Sequence, residues 1–281
     1  MAHISLARRA VSYTFRLTCE HDALGEWFDG LVSAFPIVDA DEDTAAWSVT
    51  RAPDEEPARW RFLVDGEERG STPYPDQLAT TMIQTLNGQV VRHWTGVVAH
   101  AGCVSIDGDA ILLPADPESG KTTLTCGLVR AGFSYVTDEG VAFRPGTSRI
   151  EPYPKPLSLD PGSWFLFPEL EPQVALHPND AASSQWQVPP DAIRDHAAAG
   201  PCDARYIVFP KYVEGADTRL TPIGRAEALV NLAKNTFEFN QHSREYLDQL
   251  AIVVEACDCY RLTVGTLDDA VACIQELVGA G

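Results

Sequence analysis

The sequence predicts an α/β fold preceded by a small α+β unit, and three observations lead to this class. An apolar run at residues 110–114 reads as a buried strand that enters a polar turn, and the turn opens an amphipathic helix ending near Gly132. A second short apolar strand, residues 133–137, follows that helix. The order strand, loop, helix, strand is typical of a parallel pair in an α/β sheet. In the predicted strands of the first 75 residues, apolar and polar residues instead alternate with period two, and the acidic residues lie in the loops between them.

Composition sets the limits on size and partners. The chain has 281 residues, 45% of them hydrophobic, which gives room for one large or two modest globular domains. Its net charge of −19 argues against nucleic acid and anionic membranes as partners. No apolar run approaches the roughly 18 residues of a membrane span, and the start lacks a signal-peptide core, so a cytoplasmic location is expected. The seven cysteines show no CxxC spacing and are expected to be reduced and mostly buried.

The N-terminal elements follow from hydrophobic periodicity. Alternation predicts strands at residues 11–17, 47–50 and 60–64, and helical spacing predicts a helix within residues 24–35. A further helix is predicted at residues 76–91, with its apolar face formed by Leu78, Met82, Ile83 and Leu86. We therefore expect a small N-terminal domain, residues 1–92, and a second domain, residues 93–281.

The second domain begins with a strand around residues 97–106 and a turn at Asp107-Gly108 that leads into the strand at 110–114. Residues 145–200 are rich in proline and are predicted to form a long structured-loop region, a kind of segment that is often functional. The remaining predicted elements are strands at 205–210 and 259–264 and helices at 225–234, 243–255 and 267–278.

The turn between the strand at 110–114 and the next helix has the composition of a phosphate-binding loop. Such a loop must direct backbone N–H groups and the positive end of a helix toward one anion. Gly120 permits a close approach of the backbone, Lys121 can reach the terminal phosphates, and the Thr122 hydroxyl is placed to ligate Mg²⁺. The candidate nucleotide-binding residues are Ala115, Asp116, Pro117, Glu118, Ser119, Gly120, Lys121, Thr122 and Thr123.

Two residues depart from the usual loop pattern, which has glycine where this chain has Ala115. If that backbone needs a positive φ, the alanine methyl costs roughly 1–2 kcal/mol. Glu118 adds a negative charge that must point away from phosphates or toward a metal. The alternative interpretation is an ordinary strand, turn and helix that contains Gly-Lys-Thr by chance.

Two acids follow the strand at 133–137 and are candidates for chemistry. Asp138 and Glu139 are predicted to lie at the carboxyl end of that strand, where ligands of α/β sheets bind. A solvated turn is the alternative for this pair. His100 lies in an apolar strand, where a histidine with its hydrogen bonds satisfied in the core is the common case.

Four segments together resemble a known family. They are the stretch from His100 to Gly108, the Gly-Lys-Thr loop, the stretch from Gly132 to Glu139, and Pro-Tyr-Pro-Lys-Pro-Leu-Ser-Leu at residues 152–159. The chain resembles the HPr kinase/phosphorylase family, and more closely the HPr-kinase-related proteins of actinobacterial and peptide natural-product gene clusters. The similarity runs from about residue 94 to the C-terminus, while the N-terminal quarter lacks the N-terminal domain of true HPr kinases.

This resemblance implies a mixed sheet of the phosphoenolpyruvate-carboxykinase-like P-loop type and an ATP- and Mg²⁺-dependent kinase. The implied acceptor is a Ser or Thr hydroxyl of a protein or peptide, since relatives phosphorylate the C-terminal residue of lasso-peptide precursors, and relatives often form homo-oligomers. By motif, Asp138 takes the place of the general base, Glu139 that of a metal-associated acid, and His100 that of a histidine contacting the catalytic carboxylate. Glu139 stands where the family has aspartate, and the Arg-Gly signature of the phosphorylase half-reaction is not found.

Phosphoryl transfer requires positioning and charge neutralisation more than covalent chemistry. The sequence offers Lys121 and a Thr122-bound Mg²⁺ to spread the phosphoryl charge, and Asp138 to accept a proton. Three alternatives stay open: a scaffold that has kept the fold and lost transfer, a kinase for a small-molecule hydroxyl, and a carboxykinase-like or phosphorylase enzyme that uses inorganic phosphate.

Overall fold

A computed structural model describes residues 3–52, 56–116, 119–172 and 185–279 of the chain. The chain divides into two compact units. The first unit comprises Met1–His93 and Lys155–Ala192, and the second comprises Trp94–Pro154 and Ile193–Gly281. The sequence-based division assigned residues 155–192 to the C-terminal domain, whereas in the structure they group with the N-terminal residues.

The N-terminal part of the first unit is a mixed sheet with two helices. Within the described residues, six strands form this sheet in the order β1-β3-β4-β5-β6, with β2 on β3. The β3 and β4 strands are parallel because α1 connects them, and the other pairs are antiparallel. The elements are β1 (His3–Ile4), β2 (Arg8–Ala10), β3 (Tyr13–Cys19), α1 (Asp22–Leu31), β4 (Ala45–Ala52), β5 (Arg59–Val64), β6 (Glu67–Thr72) and α2 (Pro75–His93).

The predicted N-terminal elements are confirmed, with shifted ends. The predicted strand at 11–17 begins at Tyr13 because Val11 has φ = 57° in the turn after β2. The apolar face of α2 is buried as its periodicity predicted, with Leu78 and Leu86 fully inaccessible and Met82 and Ile83 each 4% exposed. Burial of such a face holds a helix whose isolated sequence would be only marginally stable.

The rest of the chain alternates between the two units. The first unit also contains β12 and β13, which pair antiparallel with each other, and the 3-10 turns Pro161–Leu166 and Pro168–Leu170. The elements in chain order are β7 (Val98–Ile106), β8 (Asp109–Pro114), α3 (Lys121–Arg130), β9 (Ser134–Thr137), β10 (Gly140–Phe143), β11 (Arg149–Glu151), β12 (Leu157–Leu159), β13 (Trp186–Val188), α4 (Pro190–Ile193), β14 (Cys202–Tyr212), β15 (Arg219–Pro222), α5 (Arg225–Lys234), α6 (Ser243–Ala256), β16 (Asp258–Val264) and α7 (Leu267–Gly279).

The second unit is built on one mixed sheet. Among the described residues its strand order is β11-β10-β7-β8-β14-β16-β15. The β9 strand pairs with the same edge of β7 as β10 does. The β7 and β8 strands form a hairpin at Asp107 and Gly108, whose φ values of 51° and 91° suit the predicted tight turn. The expected parallel neighbours β8 and β9 are not adjacent, because both pair antiparallel with β7 and lie on its two sides. The parallel partner of β8 is β14.

Helices cover this sheet on both faces. Ala101 and Cys103 of β7 belong to a buried cluster that includes Leu232 of α5 and Leu250 of α6. Successive strand residues point to opposite faces, so Gly102 faces the other side. There it lies against Thr125 of α3, since a Cβ at Gly102 would be 2.5 Å from Thr125 Oγ1. The α3 helix and the α5/α6 pair therefore lie on opposite faces of the sheet.

Gly102→Ala is expected to destabilise the protein by about 1–3 kcal/mol because the added methyl collides with Thr125. Thr125 is fully buried and β-branched, so its side chain cannot rotate away cheaply. Adding Thr125→Ala removes the colliding oxygen and should recover part of the loss. Urea unfolding of both single variants and the double variant measures the coupling.

Gly88→Ala is the matched control, because Gly88 lies inside α2 and a Cβ there meets nothing within 4 Å. This control should be neutral or slightly stabilising. Additive losses from Gly102→Ala and Thr125→Ala would contradict the close packing of α3 on β7.

The expectation for the cysteines is met within the described residues. All seven cysteines are free, and six of them are buried, with Cys273 partly exposed. Burial raises the pKa of Cys202 and Cys257 to about 12, so these thiols stay protonated at neutral pH. None of the helices in the described part of the chain combines the length and the apolar character that crossing a bilayer requires.

Candidate active site at the loop between β8 and α3

The candidate loop connects the end of β8 at Pro114 to the start of α3 at Lys121. Gly120 precedes the helix with φ = 87°, in the left-handed region, and a Cβ at this position would meet nothing within 4 Å. Backbone conformation is therefore what requires glycine here. Ala115 is not among the described residues with a positive φ, so the strain considered for its methyl does not arise. Pro117 and Glu118 lie outside the described residues.

The N-terminus of α3 carries the predicted nucleotide-binding residues. Its first residues are Lys121, Thr122 and Thr123, and no side-chain hydrogen bond caps the helix at Gly120 in the described chain. The first N–H groups of a helix have no partner within the helix and favour an anion. Ser119 adds a buried hydroxyl that makes no hydrogen bond with the described residues. These groups fit a phosphate ligand.

Lys121 is folded against the loop. Its side chain is 6% exposed, and Nζ donates hydrogen bonds of 2.8 Å to the carbonyl oxygens of Ala115 and Asp116. An ammonium group has three N–H donors, so two of them are used within the loop. Burial lowers the pKa of Lys121, while the carboxylates of Glu139, Asp116 and Asp138 act in the opposite direction. The lysine thus lies within electrostatic reach of both predicted acids.

Asp138 lies beside the first turn of α3. It follows β9 and is 1% exposed. Thr122 Oγ1 donates a 3.1 Å hydrogen bond to Asp138 Oδ2, and Tyr135 OH donates a 2.8 Å hydrogen bond to Asp138 Oδ1. The alternative of a solvated turn is therefore wrong for Asp138. The structure brings the candidate base into contact with the candidate metal-binding hydroxyl, which is 16 residues away in sequence.

Tyr135 is a site residue that the sequence analysis did not single out. Burial, and then the negative charge of Asp138, raise the pKa of Tyr135 well above its ordinary value. Tyr135 therefore stays protonated and remains a hydrogen-bond donor to Asp138 throughout the neutral range. Its position in β9, three residues before Asp138, was the signal available in the sequence.

Tyr135→Phe is expected to cost about 1–3 kcal/mol of stability, because it removes a donor from a buried carboxylate. Denaturant unfolding measures the loss. Tyr206→Phe is the matched control, because Tyr206 is 6% exposed in β14 and no hydrogen bond of its hydroxyl is recorded within the described residues. Equal losses from the two substitutions would contradict an anchoring role for Tyr135.

His100 and Glu139 form a second pair beside Asp138. His100 Nε2 lies 3.5 Å from Glu139 Oε1, and the two side chains are 21% and 33% exposed. The His100 N–H donates a 2.6 Å hydrogen bond to Asn235 O, and its ring is 5.5 Å from that of Phe237. Asp138 was the contact expected for His100, and the ion-pair geometry recorded here is with the neighbouring acid. His100 is thus placed to orient Glu139.

The candidate metal ligands are Thr122 and Glu139. In the described part of the chain, no three His, Cys, Asp or Glu side chains are grouped so that they could hold a metal ion. Mg²⁺ usually takes one or two carboxylates plus waters and substrate phosphates, with no all-protein cage. A threonine hydroxyl and a carboxylate are oxygen ligands of the kind Mg²⁺ takes, so the residues present fit a magnesium ion that arrives with a nucleotide.

A cavity of about 530 Å³ adjoins the loop. Two of its lining residues, Lys211 and Lys234, were not singled out in the sequence. Arg261, which also lines it, forms the surface ion pair with Glu227 that is typical of a structural arginine. The cavity is lined by Pro114, Ala115, Asp116, Ser119, Phe209, Pro210, Lys211, Tyr212, Asn231, Lys234, Asn235 and Arg261.

Comparisons with known proteins give distant structural likeness alone. No protein-family model matches the chain, and no curated protein matches it significantly. Among solved structures, the chain is similar to the HPr(Ser) kinase/phosphatase from Coxiella burnetii, with 12% sequence identity and a TM-score of 0.29. The match covers 66% of this chain and 99% of that chain. At this level the likeness is distant, and the activity of that protein is not transferred to this chain.

Proposed function

We propose that this protein is an ATP-dependent kinase that transfers the γ-phosphate to a Ser or Thr hydroxyl of a peptide or small protein. The observation that carries the proposal is the contact between Asp138 and Thr122. The contact lies between a buried carboxylate and the N-terminus of a helix that follows a left-handed glycine and begins with a lysine. A phosphate cradle and a candidate proton acceptor thus meet at one point.

Each residue has a role in this reaction. The N–H groups at the start of α3 bind phosphate oxygens, and the remaining donor of Lys121 reaches the transferring group. Magnesium, when bound, neutralises charge on the phosphates, and the Thr122 hydroxyl and Glu139 would hold it. Asp138 accepts the proton of the acceptor hydroxyl while the new oxygen–phosphorus bond forms. The bond from the γ-phosphorus to the bridging oxygen breaks, and ADP leaves.

Tyr135 and His100 act through these groups as positioning residues. Tyr135 holds one oxygen of Asp138, which leaves the other oxygen directed toward Thr122. His100 orients Glu139 from the opposing strand. Fixing the orientation of a proton acceptor and a metal ligand before substrate binds lowers the reorganisation that the reaction requires.

The acceptor class rests on the motif resemblance, and a small-molecule hydroxyl is a close variant. The test incubates the purified protein and Mg-ATP with Ser/Thr peptides, including peptides encoded beside its gene. Phosphopeptide and ADP are expected in equal amounts by mass spectrometry and nucleotide chromatography. ADP formed without any phosphopeptide would exclude the tested peptides as acceptors. Binding of Mg-ATP without formation of ADP or of a phosphorylated product, with peptides or with small-molecule alcohols, would contradict the kinase proposal.

A nucleotide-binding scaffold that has lost transfer is the second candidate. It is favoured by the burial of Lys121 and by the use of its ammonium group on two loop carbonyls. Calorimetric titration with Mg-ATP and Mg-ADP addresses nucleotide binding directly. Binding without turnover supports the scaffold, whereas no binding at millimolar nucleotide contradicts both candidates.

A further inference from the structure

The cavity beside the loop has the size and position of a ligand site. Its volume of about 530 Å³ falls within the range of small-molecule pockets. It lies where the parallel strands β8 and β14 end, and Ala115, Asp116 and Ser119 of the loop form part of its wall. A ligand whose phosphates rest on the loop can therefore extend into the cavity without leaving the protein surface.

Residues of α5 line the cavity, and the candidate base contacts α3. Asn231 and Lys234 belong to α5, which packs on the sheet face that buries Ala101 and Cys103. Thr122, which contacts Asp138, belongs to α3 on the opposite face. The loop thus connects a wall of the cavity to the helix that contacts Asp138.

Positive charge is concentrated at this cavity. The chain has a net charge of −19 and contains four lysines, Lys121, Lys155, Lys211 and Lys234. Lys211 and Lys234 both line the cavity with exposed side chains. No ion pair is recorded for either of them within the described residues, whereas the nearby Arg261 is paired with Glu227. Two exposed lysines that form no ion pair among the described residues favour an anionic ligand at this cavity.

Part of the remaining wall is apolar and aromatic, beside the polar side chains of Asp116, Ser119, Asn231 and Asn235. Pro114, Ala115 and Pro210 are buried, and Phe209 is partly buried beside them. Tyr212 ends β14 with 58% of its surface exposed, which leaves its ring open to stack on a planar ligand. A ligand that combines a planar ring system with phosphates matches both parts of the wall, and a nucleotide has this composition.

We propose that the cavity lined by Lys211, Tyr212 and Lys234 holds the nucleoside and α-phosphate end of the nucleotide. The proposal rests on the proposed function. In phosphoryl transfer the attacking and leaving oxygens lie roughly in line on opposite sides of the phosphorus. An acceptor beside Asp138 therefore requires the leaving oxygen of ADP on the far side of the γ-phosphorus, and the cavity at the loop offers room for the rest of ADP. The Tyr212 ring stacks on the base, and Lys211 and Lys234 contact the phosphate.

The test compares two ligands, Mg-ATP and Mg-tripolyphosphate, by calorimetry on the full chain. Wild type should bind Mg-ATP more tightly than Mg-tripolyphosphate, because only ATP fills the cavity. Tyr212→Ala should weaken Mg-ATP about tenfold and leave Mg-tripolyphosphate within about twofold. Lys211→Ala should weaken both ligands, because its partner is a phosphate. Arg219→Ala, an exposed cation on β15 outside the cavity, is the control and should change neither affinity.

The outcomes separate this inference from the proposed function. No Mg-ATP binding by wild type would overturn both. Normal Mg-ATP binding by both cavity variants, or equal wild-type affinity for the two ligands, would overturn the nucleoside site and leave the kinase proposal standing. An increased KM for the acceptor in Lys211→Ala or Tyr212→Ala, with unchanged Mg-ATP affinity, would assign the cavity to an acidic acceptor. Thermal melting of each variant confirms that it is folded.

Discussion

Asp138→Asn is expected to lower kcat for phosphoryl transfer by about 10²–10⁴-fold, the usual contribution of a general base. An amide has the shape of the carboxylate and still accepts one of the hydrogen bonds from Thr122 and Tyr135, but it cannot accept a proton. Nucleotide affinity should change little, because in the proposed reaction Asp138 receives the proton of the acceptor and does not itself bind the nucleotide. Steady-state kinetics with saturating Mg-ATP and the best peptide acceptor measure kcat, and calorimetry measures nucleotide affinity.

Asp107→Asn is the matched control for this substitution. Asp107 is a carboxylate in the hairpin turn between β7 and β8, at the other end of β8 from the loop. Its φ of 51° is tolerated by asparagine, so the control should keep full activity and stability. Equal turnover by wild type and Asp138→Asn would exclude Asp138 as the base.

Lys121→Met is expected to lower kcat by about 10²–10³-fold, the cost of removing one donor that stabilises charge in a transition state. Methionine keeps the apolar stem of the lysine side chain and removes only the ammonium group, so the buried volume is retained. Mg-ATP affinity should fall as well. Lys234→Met removes a cation of the same type from the end of α5 and should lower nucleotide affinity without a comparable loss of kcat.

The same Lys121→Met variant gives a pH-dependent stability difference with a defined sign. Burial lowers the pKa of Lys121 in the folded protein below its ordinary value of 10.5. Between the folded pKa and 10.5, the Lys121 side chain therefore binds more protons in the unfolded chain than in the folded protein. The contribution of Lys121 to the free energy of unfolding thus rises with pH in that window. Relative to Lys121→Met, wild type should gain stability as pH increases toward 10.5. Urea unfolding at several alkaline pH values tests this, and a difference that falls with pH would contradict burial as the dominant cause.

Much of the secondary structure could be predicted because it depends on residues close together in sequence. The spacing of Leu78, Met82, Ile83 and Leu86 was sufficient to place α2 and its buried face. The Asp107-Gly108 turn predicted the β7–β8 hairpin, and Gly120-Lys121 predicted the start of α3. Each of these signals comes from local backbone preference or from a period set by one element.

Strand neighbours and the composition of the site depended on the tertiary structure. Strand pairing is a long-range choice, so the position of β7 between β8 and β9 and the grouping of residues 155–192 with the N-terminal unit were not apparent from local patterns. From the sequence, Tyr135 reads as an ordinary core tyrosine and Lys211 as a surface cation. In the structure Tyr135 donates a hydrogen bond to Asp138, and Lys211 lines the cavity beside the loop.

The sequence by itself determined the chemical groups available to this protein: a loop suited to phosphate, a lysine and hydroxyl at a helix start, and two consecutive acids. Only the tertiary structure decided that Thr122 and Asp138 touch, and that the acid is withdrawn from solvent. The physical reason is that helix and loop signals act over a few residues, whereas this contact requires α3 to pack on the sheet in which β9 pairs with β7.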